Sequence, residues 1–449
     1  MNIDPDWAWS LFQPSPSQPW DHRTAAHLFR RAGFNANSQE LNAAVGDGFA
    51  ISLDRVMGAG VEPDDFRNQI DPLVRAGLAS GSVPQLAAQW VYRMLATPAT
   101  LLEKTTLFWH GHFATGADKV DDAELMQTQN DLLRQHALGD FSELLLEISR
   151  DPAMLIYLDS VSNRKSHPNE NYAREIMELF CLGEGNYTES DIRELARCFT
   201  GWEIKRKRYR FNRYQHDSES KTILGQTGEF GGEDGVRIVV SQDAAPRFIV
   251  TKLIRFFVAD ELPIDDALIA PLAREMRDNG MQIGPTVRRI LGSQLFYSSH
   301  AIARKVRSPV ELAVGFLRAL DGSTDNYRVA TGIAELGQSL YYPPSVKGWD
   351  GGRTWINSST LLGRSNLIRE ILDSGKTRFG KTTLSEYLDG HGVGTMARLV
   401  DFIEPLLFAV PISPNARERV LALQNAGSKG SAMADAIHLL CTLPEFQLA

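Results

Sequence analysis

Features that define several large protein classes are scarce or missing in this sequence. The 449 residues include three cysteines, Cys181, Cys198 and Cys441, which are too few and too odd in number for a disulfide framework and match no zinc motif. We expect buried thiols, because a free cysteine behaves as a small apolar side chain. The sequence has no apolar run of about 18 residues, which excludes a membrane-spanning helix. The formal net charge of -8 argues against general nucleic-acid binding, which needs clustered Lys and Arg.

Familiar catalytic fingerprints are also missing. The chain contains no Gly-x-Ser-x-Gly elbow, Walker loop, His-Glu-x-x-His zinc motif or dinucleotide fingerprint. The N-terminal residues MNIDPDWAWSLFQPSPSQPWDHR lack the basic start, apolar core and cleavage site of a secretory signal. We therefore expect a cytoplasmic chain, although a trimmed export signal would leave the same sequence. Nothing in the sequence indicates the oligomeric state.

Helical periodicity dominates what is present. With 43% hydrophobic and 23% charged residues, the chain is long and apolar enough for a large core. Apolar residues recur at three- and four-residue spacing from TAAHLFRRAGF near the start to SAMADAIHLLCTLPEF at the end. The pattern predicts a mainly α, multi-helix single domain over residues 22–449, preceded by an N-terminal extension over residues 1–21.

One region departs from the helical pattern and predicts a small β-hairpin insert near residues 200–241. GWEIKRKRYRF alternates apolar and polar residues on either side of a charged turn, which is typical of a hairpin. TILG and VRIVV, further along, are candidates for additional short strands.

The stretch HPNENYAREIMELFCLGEGNYTESDIRELARCFTGW, from His167 to Trp202, has an unusual density of polar residues. Its first part predicts an amphipathic helix from about Asn169 to Leu182. One side of that helix, a sector of about 140°, holds Glu170, Asn171, Arg174, Glu175 and Glu178. Arg174 lies four residues from both Glu170 and Glu178, which predicts two ion pairs. TESD predicts a capping box between Thr188 and Asp191.

The pair of carboxylates on this helix has two interpretations. Glu175 and Glu178 are one turn apart, so they could hold a hard cation or divide the roles of acid and base. A solvated surface helix produces the same pattern, and periodicity does not separate the two.

The stretch PNENYAREIMELFCLGEGNYTESDIRELARCFTGW, followed by HDSESKTILGQTGEF, closely resembles the bacterial family known as domain of unknown function 1800. AHLFRRAGF, FWHGHF, DPAMLIYLD, FIVTKLIRFFV, RSPVELAVGFLRAL and YYPPSVKGWDGGRTWINSSTLLGRSN agree with it, so the resemblance spans about His22 to Phe446. Cys181, where the family usually has Thr, and His110-Gly111-His112, in place of a His-Asn-His-like piece, depart from the pattern.

The resemblance implies a bacterial protein that is often exported and often encoded beside a sulfatase-like partner protein. It also implies that certain positions match the family signature: Asn169, Glu170, Asn171, Arg174, Glu175, Glu178, Gly201, Trp202, His216, Asp217 and Lys221. Specific Asn and Arg residues at these positions favour a buried polar network or site over a plain solvated face. The family name states no chemistry.

Histidines provide two further candidate groups. His110 and His112 are two residues apart, so on a helix they point about 200° apart and cannot chelate one metal. His112 is interpreted as either a packed, hydrogen-bonded residue or a single ligand. His216-Asp217 could orient a base or bind a metal, or could belong to a polar loop.

Two surface candidates remain. The basic segment KRKRYRFNR, from Lys205 to Arg213, could grip phosphate or an acidic partner, or it could be a solvated hairpin tip. PPSVKGWDGGRTW contains Trp349 and Trp355, which could stack on a sugar or a peptide or could fill the core.

These observations favour an enzyme-like protein with a carboxylate and histidine site, performing hydrolysis with a divalent metal as the candidate cofactor. Glu175 or Glu178 would be the ligand or base, Arg174 an anion stabiliser, and His216 with Asp217 the proton carrier. The site would be completed by Asn169, Glu170, Asn171, His112, Asp191, Glu194, Trp202 and Lys221. The competing hypothesis is a non-catalytic partner of the sulfatase-like protein. There the polar residues form a structural network, and the surface of Trp349 and Trp355 or the hairpin binds the partner.

Overall fold

The apolar repeats of the sequence become the buried faces of helices, which account for 62% of the chain. A computed structural model describes residues 3–58, 62–425 and 429–449. The N-terminal helices are α1 (Pro5–Trp9), α2 (His22–Ala32), α3 (Ser38–Gly58), α4 (Asp64–Ser80), α5 (Val83–Ala96), α6 (Thr100–His112), α7 (Ala117–Val120), α8 (Ala123–His136), α9 (Phe141–Arg150) and α10 (Pro152–Tyr157). A kink at Gly48, whose φ is 81°, divides α3.

Two short helices cover the polar stretch, and the C-terminal half returns to longer helices. The remaining helices are α11 (Asn171–Glu175), α12 (Glu189–Cys198), α13 (Gly232–Val240), α14 (Ala244–Phe257), α15 (Asp266–Asp278), α16 (Ile283–Leu291), α17 (Pro309–Ala319), α18 (Asn326–Glu335), α19 (Ser358–Asp373), α20 (Leu384–Gly390), α21 (Met396–Leu407), α22 (Pro414–Leu421) and α23 (Lys429–Cys441). A π-helical segment, Ile176–Cys181, follows α11 directly. The fold is a mainly α single domain, as predicted.

The core consists of two apolar clusters that meet at α6. Trp109 of α6 belongs to the first cluster, with residues of α9 and of α11 to α16. Leu107 of the same helix belongs to the second cluster, with residues of α5 and of α17 to α23. Residues 3–21, predicted as an extension, pack into the first cluster: Trp9 is buried and its indole N–H donates to the carbonyl oxygen of Leu268 at 2.7 Å. The three cysteines are free and buried, as expected.

Short antiparallel hairpins supply the β-structure. Strands β1 (Trp202–Lys205) and β2 (Arg208–Phe211) pair with Trp202 opposite Phe211. They are joined at Arg206 and Lys207, whose φ angles of 52° and 61° are those of a two-residue hairpin turn. The second hairpin joins β3 (Lys221–Ile223) to β4 (Gln226–Gly228), and a third pair joins β5 (Gly322–Ser323) to β6 (Arg378–Phe379).

The predicted extent of the β insert is wrong at its C-terminal end. VRIVV lies in α13, not in a strand, so the β-structure of this region ends at Gly228. Val236, Val239 and Val240 are all buried, and their spacing of three and four residues places them on one helix face. Burial of that face overrides the strand preference of a β-branched run.

The stretch FSELLLEISRDPAMLIYL forms two helices, α9 and α10. Asp151 ends α9 and caps α10, its carboxylate accepting the N–H of Met154 at 2.8 Å, with Pro152 in the first turn.

Within the described ranges, no helix is long and apolar enough to cross a membrane.

Candidate functional site

The helix carrying Glu175 and Glu178 changes from α to π geometry at its centre. It begins at Asn171, two residues later than predicted, and its N-cap residue Glu170 makes no side-chain capping bond. The N–H of Asn171 donates to the side-chain oxygen of Asn169 at 3.0 Å. From Ile176 the turns widen, and the N–H groups of Leu182 and Gly183 both donate to the carbonyl oxygen of Met177 at 3.0 Å. A π-helical turn inside a helix is rare and frequently marks a functional site.

The end of the π segment leaves carbonyl groups for side chains of other helices. The Nε2–H of His112 donates to the carbonyl oxygen of Phe180 at 2.9 Å. The ammonium group of Lys252 on α14 lies 3.4 Å from the carbonyl oxygen of Leu179. These two contacts satisfy acceptors that a helix C-terminus would otherwise leave unpaired.

Glu175 has an unusual environment for a carboxylate. It is half-buried, and it makes no hydrogen bond or ion pair with the residues that the structure describes. Burial and the charge of Glu178 raise its pKa above the ordinary value, and the charge of Arg174 opposes that rise. Burial followed by the charges of Asp118 and Glu175 raises the pKa of the nearby Tyr157.

The carboxylate of Glu178 is hydrogen-bonded to a tyrosine and does not pair with the predicted arginine. Its carboxylate accepts the hydroxyl of Tyr187 at 3.0 Å. Burial, together with that hydrogen bond, raises the pKa of Tyr187 to about 12. The predicted Arg174–Glu178 ion pair is wrong: Arg174 binds Glu189 with two contacts of 2.8 Å and lies 3.6 Å from Glu170, as predicted for that pair. Arg174 therefore ties α11 to the first turn of α12.

Asn169, at the start of the polar stretch, forms hydrogen bonds that hold the preceding loop. The amide of Asn169 donates to the carbonyl oxygen of Asp159 and to the hydroxyl of Ser162, both at 3.2 Å, and its own N–H donates to Asn163 at 2.9 Å. Asn171 is exposed. These contacts fix the loop that precedes α11.

His216 and Asp217 are held by contacts within their own region. The ring of His216 donates from Nδ1 to the carbonyl oxygen of Thr200 at 2.9 Å. The carboxylate of Asp217 accepts Arg197 at 2.7 Å. Burial raises the pKa of Asp217, but the hydrogen bonds from Arg197 and from the Glu219 N–H outweigh it and hold the pKa below its ordinary value.

Lys221 completes this attachment. It is buried, and its ammonium group donates to the carbonyl oxygens of Asp217 at 2.6 Å and Glu219 at 3.0 Å. It fixes the main chain that leads into β3.

The acidic residues of α12 hold the second hairpin. Thr188 and Asp191 form the predicted capping box, and the other oxygen of Asp191 accepts the Leu224 N–H at 2.7 Å. Glu194 accepts the Thr222 N–H at 3.0 Å.

Trp202 is buried between aromatic rings, with its centroid 5.0 Å from Phe199 and 5.2 Å from Tyr209.

Among the described residues, no hydrogen bond or ion pair joins His216 or Asp217 to Glu175 or Glu178. The two groups that the sequence combined into one catalytic site are thus not linked directly by such a contact.

The histidines of α6 serve two different segments. His112 faces the π segment, and burial followed by the charge of Lys252 lowers its pKa well below the ordinary value. On the other side of the helix, Nε2 of His110 accepts the N–H of Tyr341 at 3.1 Å, and burial lowers its pKa to about 3. Both rings are therefore packed residues that point apart, as their spacing predicts.

The structure offers no ready metal centre in residues 3–58, 62–425 and 429–449. No group of three or more His, Cys, Asp or Glu side chains there is arranged to hold a metal ion.

The two tryptophans of the Gly-rich loop line one groove. The groove has a volume of about 440 Å³ and is bounded by Glu335, Leu336, Gly337, Pro344, Ser345, Lys347, Gly348, Trp349, Asp350, Thr354, Trp355, Asn357 and Thr360. Trp349 is half-buried and its indole N–H donates to the carbonyl oxygen of Gly337 at 3.0 Å. Trp355 is buried, so it forms a wall and also fills the core. We call this feature the tryptophan groove.

The tryptophan groove is built on α6. The ring of His110 lies 5.7 Å from that of Trp349. Gly348 has a φ of 78° and is pressed against the carbonyl group of Gly111, where an added Cβ would overlap. The His-Gly-His sequence therefore supports the groove on one side and the π segment on the other.

The basic hairpin is a mostly solvated surface. Lys207 at its tip pairs with Asp122 at 2.6 Å and Glu124 at 2.9 Å. Lys205, Arg206 and Arg208 are exposed.

The half-buried Lys252 and the buried Asp151 are among the titratable residues that sequence reasoning missed. Burial and then the charges of Lys347 and Arg255 lower the pKa of Lys252 to about 8. Burial raises the pKa of Asp151 to about 7, against hydrogen bonds from Met154 and Gln129, and one of its oxygens has no partner. A lone lysine in the apolar run FIVTKLIRFFV and an Asp-Pro pair between two helical patterns are the signals that could have identified them.

Comparison with known proteins yields a single family. The family model described as "Protein of unknown function (DUF1800)" matches residues 27–448. No curated protein and no solved structure matches the chain.

Proposed function

The chain belongs to the DUF1800 family, and from that premise we propose that it is a binding protein whose ligand surface is the tryptophan groove. One contrast carries the proposal. Apart from Glu175, the charged residues at the signature positions are engaged by partners inside the molecule. Among the described residues, by contrast, Lys347 and Asp350 at the groove form an ion pair only with each other and keep 69% and 62% of their side chains exposed.

Engaged groups make poor ligand contacts. Asp191 and Glu194 hold main-chain N–H groups of the second hairpin, and Asp217 holds Arg197. A ligand that recruited these side chains would have to replace those hydrogen bonds, at a cost of about 1–3 kcal/mol for each group left unpaired. The motif is better suited to fixing the hairpins and α12 in place.

The tryptophan groove has the properties of a binding surface. Its walls are aromatic, its rim is polar, and its floor rests on a rigid helix through His110 and Gly111. Tryptophan is enriched among residues that dominate binding energy, and a preformed site loses little conformational entropy on binding. An extended peptide segment of a partner protein fits this chemistry. The family resemblance makes the sulfatase-like protein the partner that we propose.

Binding between the two purified proteins tests the proposal. We expect Lys347→Glu and Trp349→Ala to weaken the affinity at least about tenfold, which is about 1.4 kcal/mol. Lys205→Glu, which reverses a charge on the exposed hairpin, is the matched control and should bind like the wild type. If the control weakened binding equally, the binding surface would lie at the hairpin and not at the tryptophan groove. If the wild type did not bind, the sulfatase-like protein would not be the partner.

One observation favours a second candidate, acid–base hydrolysis at Glu175. A half-buried carboxylate with a raised pKa and no partner among the described residues is poised to exchange a proton. Tyr157 is within its electrostatic reach. Hydrolysis of model ester, peptide and glycoside substrates, together with elemental analysis for a divalent metal, tests this candidate. Activity that vanishes in a folded Glu175→Gln variant would favour it over the binding protein.

A further inference from the structure

A buried cluster of cations lies where α2, α6, α17 and α19 meet. It contains Arg30, Arg31, Lys104, Lys305, Arg307 and Arg364, each at most 9% exposed. Two carboxylates form ion pairs with these six cations: Glu311 with Lys104, and Asp260 with Lys305.

Most of these cations are solvated by carbonyl groups instead of by charges. Arg31 donates to the carbonyl oxygens of Phe257, Val258 and Ala449. Arg307 donates to Leu448 and Leu407, and Arg364 donates to Arg307. Carbonyl dipoles satisfy hydrogen bonds but do not cancel net charge. Burial accordingly lowers the pKa of Arg31, Arg307 and Arg364 to about 10.

Arg30 is the exception, because most of its guanidinium group has no acceptor. One nitrogen donates to the carbonyl oxygen of Phe408 at 3.3 Å, whereas Nε and Nη1 are buried and have no hydrogen-bond partner among the described residues. Burial and the charges of Arg307 and Arg31 lower its pKa well below the ordinary value. Buried polar groups without partners are rare in proteins and call for an unseen acceptor.

The same guanidinium group lines a small cavity. Arg30, Asn35, Arg307 and Glu311 are among its walls, and about 10 Å³ is open to the centre of a water-sized particle. That is room for one such particle. Glu311 contributes a carboxylate to the wall, but Lys104 neutralises it, and the charges of Lys104 and Lys305 help to hold its pKa at about 2 against the effect of burial.

We propose that this cavity binds one small inorganic anion of the size of chloride, between Arg30 and Arg307. The anion accepts the unpaired N–H groups of Arg30 and reduces the excess positive charge of the cluster. A water molecule would accept the same hydrogen bonds but leave the charge uncompensated. The anion therefore stabilises the junction of the helices, independently of any ligand in the tryptophan groove.

Thermal unfolding in sodium chloride, with sodium gluconate added to constant ionic strength, tests the site. The wild type should gain several degrees in Tm with a saturating chloride dependence, because a ligand that binds only the native state raises stability. Arg30→Gln should abolish that dependence. Arg23→Gln, on the same helix with 40% of its side chain exposed, should keep it. An equal chloride response of both variants would overturn the proposal.

A crystal of the wild type soaked in sodium bromide gives a readout that does not depend on a folded variant. An anomalous bromide peak within about 3.5 Å of an Arg30 nitrogen is the expected result. An ordered water without an anomalous signal at that position would overturn the proposal.

Discussion

His112 and Phe180 join α6 to the π segment: the ring donates from Nε2 to the carbonyl oxygen at 2.9 Å. Both residues are buried. The imidazole of His112, together with the ammonium group of Lys252, therefore fixes the end of the helix that carries Glu175 and Glu178.

Replacing His112 by alanine should destabilise the protein by about 2–4 kcal/mol, from a lost buried ring and an unpaired carbonyl group. Urea unfolding followed by circular dichroism measures the change. His167→Ala, at an exposed histidine, should stay within about 0.5 kcal/mol of the wild type. A His112 variant as stable as that control would show that the π segment does not depend on the hydrogen bond.

Arg197 and Arg174 should differ sharply in their contribution to stability. Arg197→Gln removes the partner of Asp217 in a site where both side chains are less than 20% exposed, so we expect a loss of about 2–4 kcal/mol. Arg174→Gln removes a more exposed pair and should cost no more than about 1 kcal/mol. Thermal unfolding of the two variants checks the order, and the reverse order would contradict the structural role of the motif.

Asp151 should make stability depend on pH. Its pKa is about 7 in the folded protein against an ordinary value of 3.8, so the folded state binds the extra proton. The resulting stability is fully present below about pH 4, and up to about 4 kcal/mol is lost as pH rises to about 7.

Asp151→Asn is the matched control, because the amide keeps the shape and cannot titrate. The difference in free energy of unfolding between variant and wild type should grow in favour of the variant from pH 4 to pH 7. A difference that is constant with pH would mean that the carboxyl group is not perturbed.

Much of this fold follows from the sequence, because burial and local pattern agree over most of the chain. The capping box at Thr188, the hairpin from Trp202 and the opposed histidines of α6 are all set by neighbours in sequence. The strand predicted at VRIVV is wrong because the valines of this segment are buried on one face of a helix. The strand preference of β-branched residues does not indicate that packing.

The candidate site was harder to predict, since its contacts are long-range. Glu170, Glu178 and Glu189 were all possible partners of Arg174. Its closest ion pair is with Glu189, which is distant in sequence, and not with Glu178. Lys252 meets the π segment across 73 residues of sequence. Periodicity fixes which side a residue occupies, but it does not identify the element packed against that side.

Gly348→Ala should weaken partner binding through the shape of the tryptophan groove. Its φ of 78° and the overlap with Gly111 force the loop away from α6, at a cost of about 1–3 kcal/mol for the strained backbone alone. Gly81→Ala, at a φ of 66° with open space around it, carries similar strain without the overlap. Binding affinity should fall for the first variant and not for the second, and equal affinities would argue against a preformed groove.

Hydrogen–deuterium exchange of the protein with and without the sulfatase-like protein that we propose as its partner tests the central claim most directly. The account predicts new protection over residues 343–357 and unchanged exchange over residues 169–178. Protection confined to residues 169–178, with the tryptophan groove unaffected, would contradict it and return the function to the carboxylates of the π segment.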